Sequence, residues 1–244
     1  MFTIFKKEFN TFFLGYTAYI SAIVFSIVCS LFLWFFNQDY NIFNSGIASL
    51  NSFFFITPWI FMFLIPSLTM KSIAEEQANG TLIWLFTQPI KISEIVLGKF
   101  FAVFVLIIFL LIFSLIYVYS ITQIVSPEQS IDFGIIKSGY FGLILLGSLF
   151  ASIGIFASSI SKNQVLAFVI SVFINFIIFY GFQSLASYNL MGNADYYVQK
   201  LGAFSNYNQF LKGIVDTRAV LYFVAVSGIF LTVCMQLLYR KKTA

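Results

Sequence analysis

Histidine is absent from the 244 residues, and only 9% of them are charged. The first absence removes most zinc sites, histidine-based acid–base chemistry and histidine proton relays. The second excludes a water-soluble globule, in which roughly 25% of residues carry charge. Cysteine is nearly missing as well. Cys29 and Cys234 both lie in apolar runs, where a thiol behaves as a small hydrophobe, so neither a disulfide nor redox chemistry is expected. No G-x-x-x-x-G-K-[ST] loop occurs, so the chain lacks the usual means of cradling ATP. The net charge is only +4, and no Lys/Arg block interleaves with aromatics, which speaks against a nucleic-acid partner.

What remains is apolar: 60% of the residues are hydrophobic and 34 are Phe. Six stretches without Asp, Glu, Lys or Arg run over about 17–36, 51–70, 100–122, 138–160, 165–186 and 219–239. A helix needs about 20 such residues to cross roughly 30 Å of hydrocarbon. The expected fold class is therefore an all-α membrane protein with six transmembrane helices. Residues 1–244 are read as a single transmembrane domain, since a soluble domain of ~100 residues has no room. The first stretch ends in Trp34-Phe35-Phe36-Asn37 rather than in small residues, so it is expected to stay as a span and not to be cleaved.

Orientation follows from the basic residues. With the N-terminus inside, inner segments carry Lys6, Lys7, Lys71, Lys91, Lys99, Lys162, Arg240, Lys241 and Lys242. Outer segments carry Lys137, Lys200, Lys212 and Arg218, among Asp39, Glu128, Asp132, Asp195 and Asp216. The positive-inside rule then places both termini in the cytoplasm.

Ahead of the first span, Phe2, Phe5, Phe9, Phe12, Phe13 and Tyr16 share one helical stripe, with Lys6 and Lys7 off it and Ile4 as an apolar misfit. A helix of this kind lies in the headgroup layer, its rings in acyl chains and its lysines near anionic lipid. In the fourth span Gly147, Ala151, Gly154 and Ser158 line one narrow face of small residues, over which helices approach closely. That face serves packing within the chain, or a sliding contact with neighbouring helices or a second subunit.

None of the six stretches holds an ionisable residue, whereas ion-coupled transporters need one near the midplane. Energy for any transport must then enter through the cytoplasmic connections, of which one is long, Lys71 to Lys99. The second helix is expected to run on through Asn79 and stop at Gly80. Thr81 is read as the cap of a short helix over Leu82–Phe86. Pro89 ends it with Gln88 extended, and Ser93 caps the next helix with Glu94 in its first turn. The product is a short lever exposing Leu82, Ile83, Trp84, Leu85 and Phe86, tied to spans two and three.

Glu75-Glu76, Gly80-Thr81-Leu82, Leu85, Thr87, Pro89-Ile90 and Glu94-Ile95-Val96-Leu97-Gly98-Lys99 together resemble the signature of ABC-2 type transporter permeases. Trp84 departs from the aliphatic or acidic residue usual there. Segments Tyr40–Gly46, Pro58–Pro66 and Gly213–Arg218 with Tyr222-Phe223 look like the gliding-motility-associated permease subunit of Bacteroidota. The resemblance implies an inner-membrane permease subunit with three kinds of neighbour: a cytoplasmic ABC ATPase, a second permease copy or an accessory membrane subunit with an extracytoplasmic part, and the bilayer. ATP and magnesium would belong to the ATPase, and this chain would hold no cofactor. Glu75, Glu76, Gly80, Thr81, Leu82, Leu85, Phe86, Pro89 and Ile90 would then transmit motion. The carboxylates would position the lever, Gly80 and Pro89 would fix its turns, and Leu82, Leu85 and Ile90 would fill the ATPase groove.

The alternative is a scaffold or channel subunit without a nucleotide-driven cycle. An intramembrane enzyme built on Glu75-Glu76 is disfavoured, because such sites normally draw on histidine or metal ligands. The outer loop, about Ser187 to Arg218, is long enough for two short helices broken at Gly202 and Gly213. Its aromatics Tyr188, Tyr196, Tyr197, Phe204, Tyr207 and Phe210 either cap the outer mouth or hold a partner.

Overall fold

The computed structural model describes residues 1–36, 41–42, 49–125, 132–188, 192 and 195–243. Of the segment Tyr40–Gly46 singled out above, Tyr40 and residues 43–46 lie outside this set, as do Asp39 and Glu128. Among the described residues there are helices and no strands. In order they are α1 (Phe2–Leu14), α2 (Thr17–Phe35), α3 (Asn51–Thr69), α4 (Lys71–Ala78), α5 (Thr81–Thr87), α6 (Ile92–Ile124), α7 (Phe133–Ile160), α8 (Gln164–Ser187), α9 (Asp195–Leu201), α10 (Ala203–Leu211) and α11 (Thr217–Thr243).

Six helical runs are long and apolar enough to cross a membrane: α2, α3 with α4, α6, α7, α8 and α11. The protein is a multi-pass membrane protein. Two of the runs begin at a side-chain cap. Asp132 accepts the N–H groups of Gly134 and Ile135 at the start of α7, and Asn163 accepts that of Val165 at the start of α8. The first turns of these two helices thus have N–H donors satisfied where unpaired ones would be costly in lipid.

α7 is the central helix, packed on α3, α6, α8, α10 and α11. Its small-residue face is turned into the protein: Gly147, Ala151, Gly154 and Ser158 are all buried. A methyl group on Gly147 would stand 2.9 Å from Ile107, and one on Gly154 would drive into Thr69 of α3. These residues therefore bring α7 close to α6 at Gly147 and to α3 at Gly154, within one chain. Dispersion over such a close approach is what holds apolar helices together where lipid is equally apolar.

α3 carries two prolines, Pro58 and Pro66. A proline has no N–H, so the carbonyl four residues earlier loses its helical donor. For Pro58 that carbonyl belongs to Phe54, and the hydroxyl of Tyr207 from α10 donates to it at 2.8 Å. Tyr207 is fully buried for this reason. Phe210 sits against Gly142, and Phe204 packs edge-on to Phe179. The two expected short outer helices are α9 and α10, with Gly202 between them and Gly213 at φ +80° beyond. Their aromatics divide by burial: Tyr207 and Phe210 pack into the bundle, while Tyr188, Tyr196 and Tyr197 are exposed.

Candidate functional site

Every residue of the connection from 71 to 99 is described, and its course follows from local chemistry. α4 stops where Gly80 adopts φ +72°, a left-handed conformation that suits glycine. α5 begins at once, so Thr81 is its first helical residue and not its cap. The Thr81 hydroxyl instead donates back to the carbonyl of Glu76, and the α5 N-terminus has no side-chain cap. Gln88 is extended ahead of Pro89, and a tight turn brings the Ile90 N–H to the Gln88 carbonyl at 2.7 Å. The next helix starts at Ile92 rather than after Ser93. The carboxylate of Glu94 reaches back to the N–H of Lys91, which leaves Ser93 inside the first turn.

The short helix does not expose its whole apolar surface. Leu82 and Leu85 turn inward and are buried with Ile73, Ile95, Ile155 and Leu238 in a second core. Phe86 and Ile90 are half-buried against the same core. One face of α5 thus anchors it to this chain, and Leu82 and Leu85, expected in a partner's groove, are instead covered by the chain itself. The outward pair is Ile83 and Trp84, 72% and 67% exposed. Pro89 is exposed beside them.

α4 is tied on three sides. On the first, Lys99 is 2% exposed and its ammonium donates to Glu8 at 2.7 Å, to Glu76 at 2.9 Å and to the Ser72 carbonyl at 2.6 Å. An ammonium has three donors, and all are used. Lys7 adds a longer contact to Glu76 at 3.4 Å. On the second side, the Ser158 hydroxyl of α7 accepts the N–H groups of Ile73 and Ala74, each at 2.9 Å, and donates to the Met70 carbonyl at 3.0 Å. On the third, Gln77 bonds the Ser159 carbonyl and receives Lys241 of α11 at 2.7 Å. Glu75 has no ion-pair partner among the described residues and lines a cavity beside α1.

α1 lies along the first turns of α6. Phe5, Phe9 and Phe13 form a ring-to-ring row along it, with Phe2 at its exposed end and Phe12 half-buried. Lys6 and Lys7 are exposed. Ile4, which broke the expected stripe, is the residue of α1 that is buried: it rests on Gly98, where a side chain would meet it at 3.0 Å. The misfit is the anchor, because the helix has one face for this protein and another for its surroundings.

Two cavities open along the same side. The inner one, about 750 Å³, has a polar floor that includes Lys7, Lys71, Glu75 and Asn79 and apolar walls from α2 and α3. The other, about 640 Å³, is lined almost wholly by apolar residues of α2 and α3, with Phe168 of α8. They share Val24, Leu64 and Ser67. Among the described residues no group of His, Cys, Asp and Glu is placed to hold a metal ion.

Glu76 meets Lys7 of α1 and Lys99 of α6, and Lys99 in turn holds Glu8; neither Lys99 nor Glu8 was singled out from the sequence for this role. Two signals were available. Lys99 is a cation set directly against an apolar run, and Glu8 is the lone acid of α1. A family model described as "ABC-2 family transporter protein" matches residues 3–242, nearly the whole chain. No protein of curated function matches it.

Proposed function

Because the chain belongs to the ABC-2 family of transporter proteins, we propose that it is the permease subunit of an ATP-driven transporter, moved by a separate cytoplasmic ATPase through α5 and α4. The observation that carries this reading is the two-sided construction of α5. Ile83 and Trp84 are exposed while Leu82 and Leu85 lock the helix to α4, α6 and α11. An exposed apolar pair is costly in solvent, and burial of each large side chain in a partner is worth ~1.5–3 kcal/mol. The pair is the docking contact, and α4 is the rod behind it. Glu76 sets the position of that rod, and Gly80 and Pro89 set its bends.

In this reading both termini lie in the cytoplasm of a bacterial inner membrane, and residues 1–244 act as one transmembrane domain. α1 lies in the headgroup layer on its phenylalanine side. ATP and magnesium belong to the ATPase, and nucleotide hydrolysis is not this chain's own chemistry. A second copy or an accessory membrane subunit with an extracytoplasmic part completes the gate, and the apolar cavity along α2, α3 and α8 is half of the path. The likeness of residues 40–46, 58–66 and 213–218 to gliding-motility permeases supports that assignment of the complex.

The experiment is purification from the native membrane in mild detergent, with mass spectrometry of what accompanies the chain. An ABC ATPase is expected, and Trp84→Asp should lose it while the permease keeps its thermal stability. Recovery of the chain alone, stable and monodisperse, would instead favour a scaffold or channel.

A further inference from the structure

The Ser158 hydroxyl is saturated in an unusual way. Its two acceptor positions are filled by main-chain N–H groups of another helix, and its one donor goes to that helix's carbonyl. In a continuous helix the N–H groups of Ile73 and Ala74 would point to the carbonyls of Thr69 and Met70. Here α3 ends at Thr69, α4 starts at Lys71, and Met70 stands between them. Just above this point Gly154 lets Thr69 press against α7, and Pro66 has already removed one N–H from the helical ladder. Met70 keeps helical angles, φ −56° and ψ −34°, so the hydroxyl enters the ladder without breaking the helical path; a side chain inserted in this way is a recognised site of helix bending.

We propose that Ser158 is a positioning residue that makes Met70 the pivot between the cytoplasmic rod α4 and the membrane span α3. The proposal rests on the coupling role assigned above to α4 and α5. Below the pivot α4 tilts with α5, and above it α3 is held to α7 by the Gly154 contact. The hydroxyl keeps both helix ends hydrogen-bonded while the angle between them changes, so motion enters the membrane part as rotation about one point. Without it, the joint loses its fixed centre and displacement of α4 is no longer passed on.

Hydrogen exchange by mass spectrometry on the full permease in lipid nanodiscs tests this, with Ser152→Ala as control. Ser152 is equally buried in α7, but its hydroxyl bonds only the Leu149 carbonyl of its own helix. Ser158→Ala should speed exchange across residues 70–78 roughly tenfold, the opening expected when a buried hydrogen bond is lost, and Ser152→Ala should not. Exchange unchanged in Ser158→Ala overturns the pivot, whatever partner is present. With the ATPase bound and trapped by ATP and vanadate, the wild type should change exchange both at 70–78 and in the outer helices at 195–211. Ser158→Ala should still support hydrolysis yet leave 195–211 unmoved. An outer response equal to wild type in that variant also overturns the pivot. A wild-type complex that responds nowhere overturns the coupling reading itself, and the pivot with it.

Discussion

Lys99 shows how a single residue can hold three parts of the chain together. Its ammonium is taken out of water and returned three partners, two carboxylates and one carbonyl. A buried pair of this kind adds little net stability over an apolar substitute, but removing one member strands the rest, at a cost of about 3–5 kcal/mol. Lys99→Ala should therefore lower thermal stability by that order, whereas adding Glu8→Gln and Glu76→Gln should recover part of it; a thermal unfolding series in detergent reads both. Tyr207 is the outer counterpart. Tyr207→Phe leaves the Phe54 carbonyl without a donor and should cost ~1–3 kcal/mol. In the same assay Pro58→Ala should rescue it, since alanine restores the N–H that the hydroxyl replaced. Burial holds the Tyr207 phenol well above its ordinary pKa of 10.0. Only the unfolded chain then ionises as pH rises past that value, so this residue's contribution is constant at neutral pH and declines above about pH 10.

At the scale of the element, α5 was legible in outline and not in orientation. The glycine, the proline and the apolar run between them fix a short helix, because each acts on the backbone within a few residues. Which of its apolar side chains turns inward depends on Ile73, Ile95, Ile155 and Leu238, which lie far along the chain and meet only in the fold. The same division explains the two missed caps. Thr81 and Ser93 are the right residue types for caps, but Gly80 and Glu94 satisfy the geometry first. The contrast between the faces is measurable: Leu85→Asp should destabilise the permease itself, and Trp84→Asp should leave its melting temperature unchanged while weakening ATPase recovery.

At the scale of the whole molecule the six spans could be read directly, because hydrocarbon demands long apolar helices and leaves few alternatives. The ion cluster could not, since it joins residues 8, 76 and 99 through three-dimensional proximity alone. Orientation is open to a direct check. The native thiols Cys29 and Cys234 are both buried, so single added cysteines report with little background. In intact cells a membrane-impermeant maleimide should label Lys137→Cys and spare Lys162→Cys, and opening the cells should make the second reactive.

The ties on α4 also order the making of the protein. Its partners come from α1, α6, α7 and α11, and Lys241 of α11 is translated after all the others. During synthesis α4 must therefore wait, with its Gln77 unclasped and Ile73 and Ala74 unserved until α7 arrives. Lys241 is the last of these residues to be made, so its closure onto Gln77 and the Ser159 carbonyl completes the ties on α4.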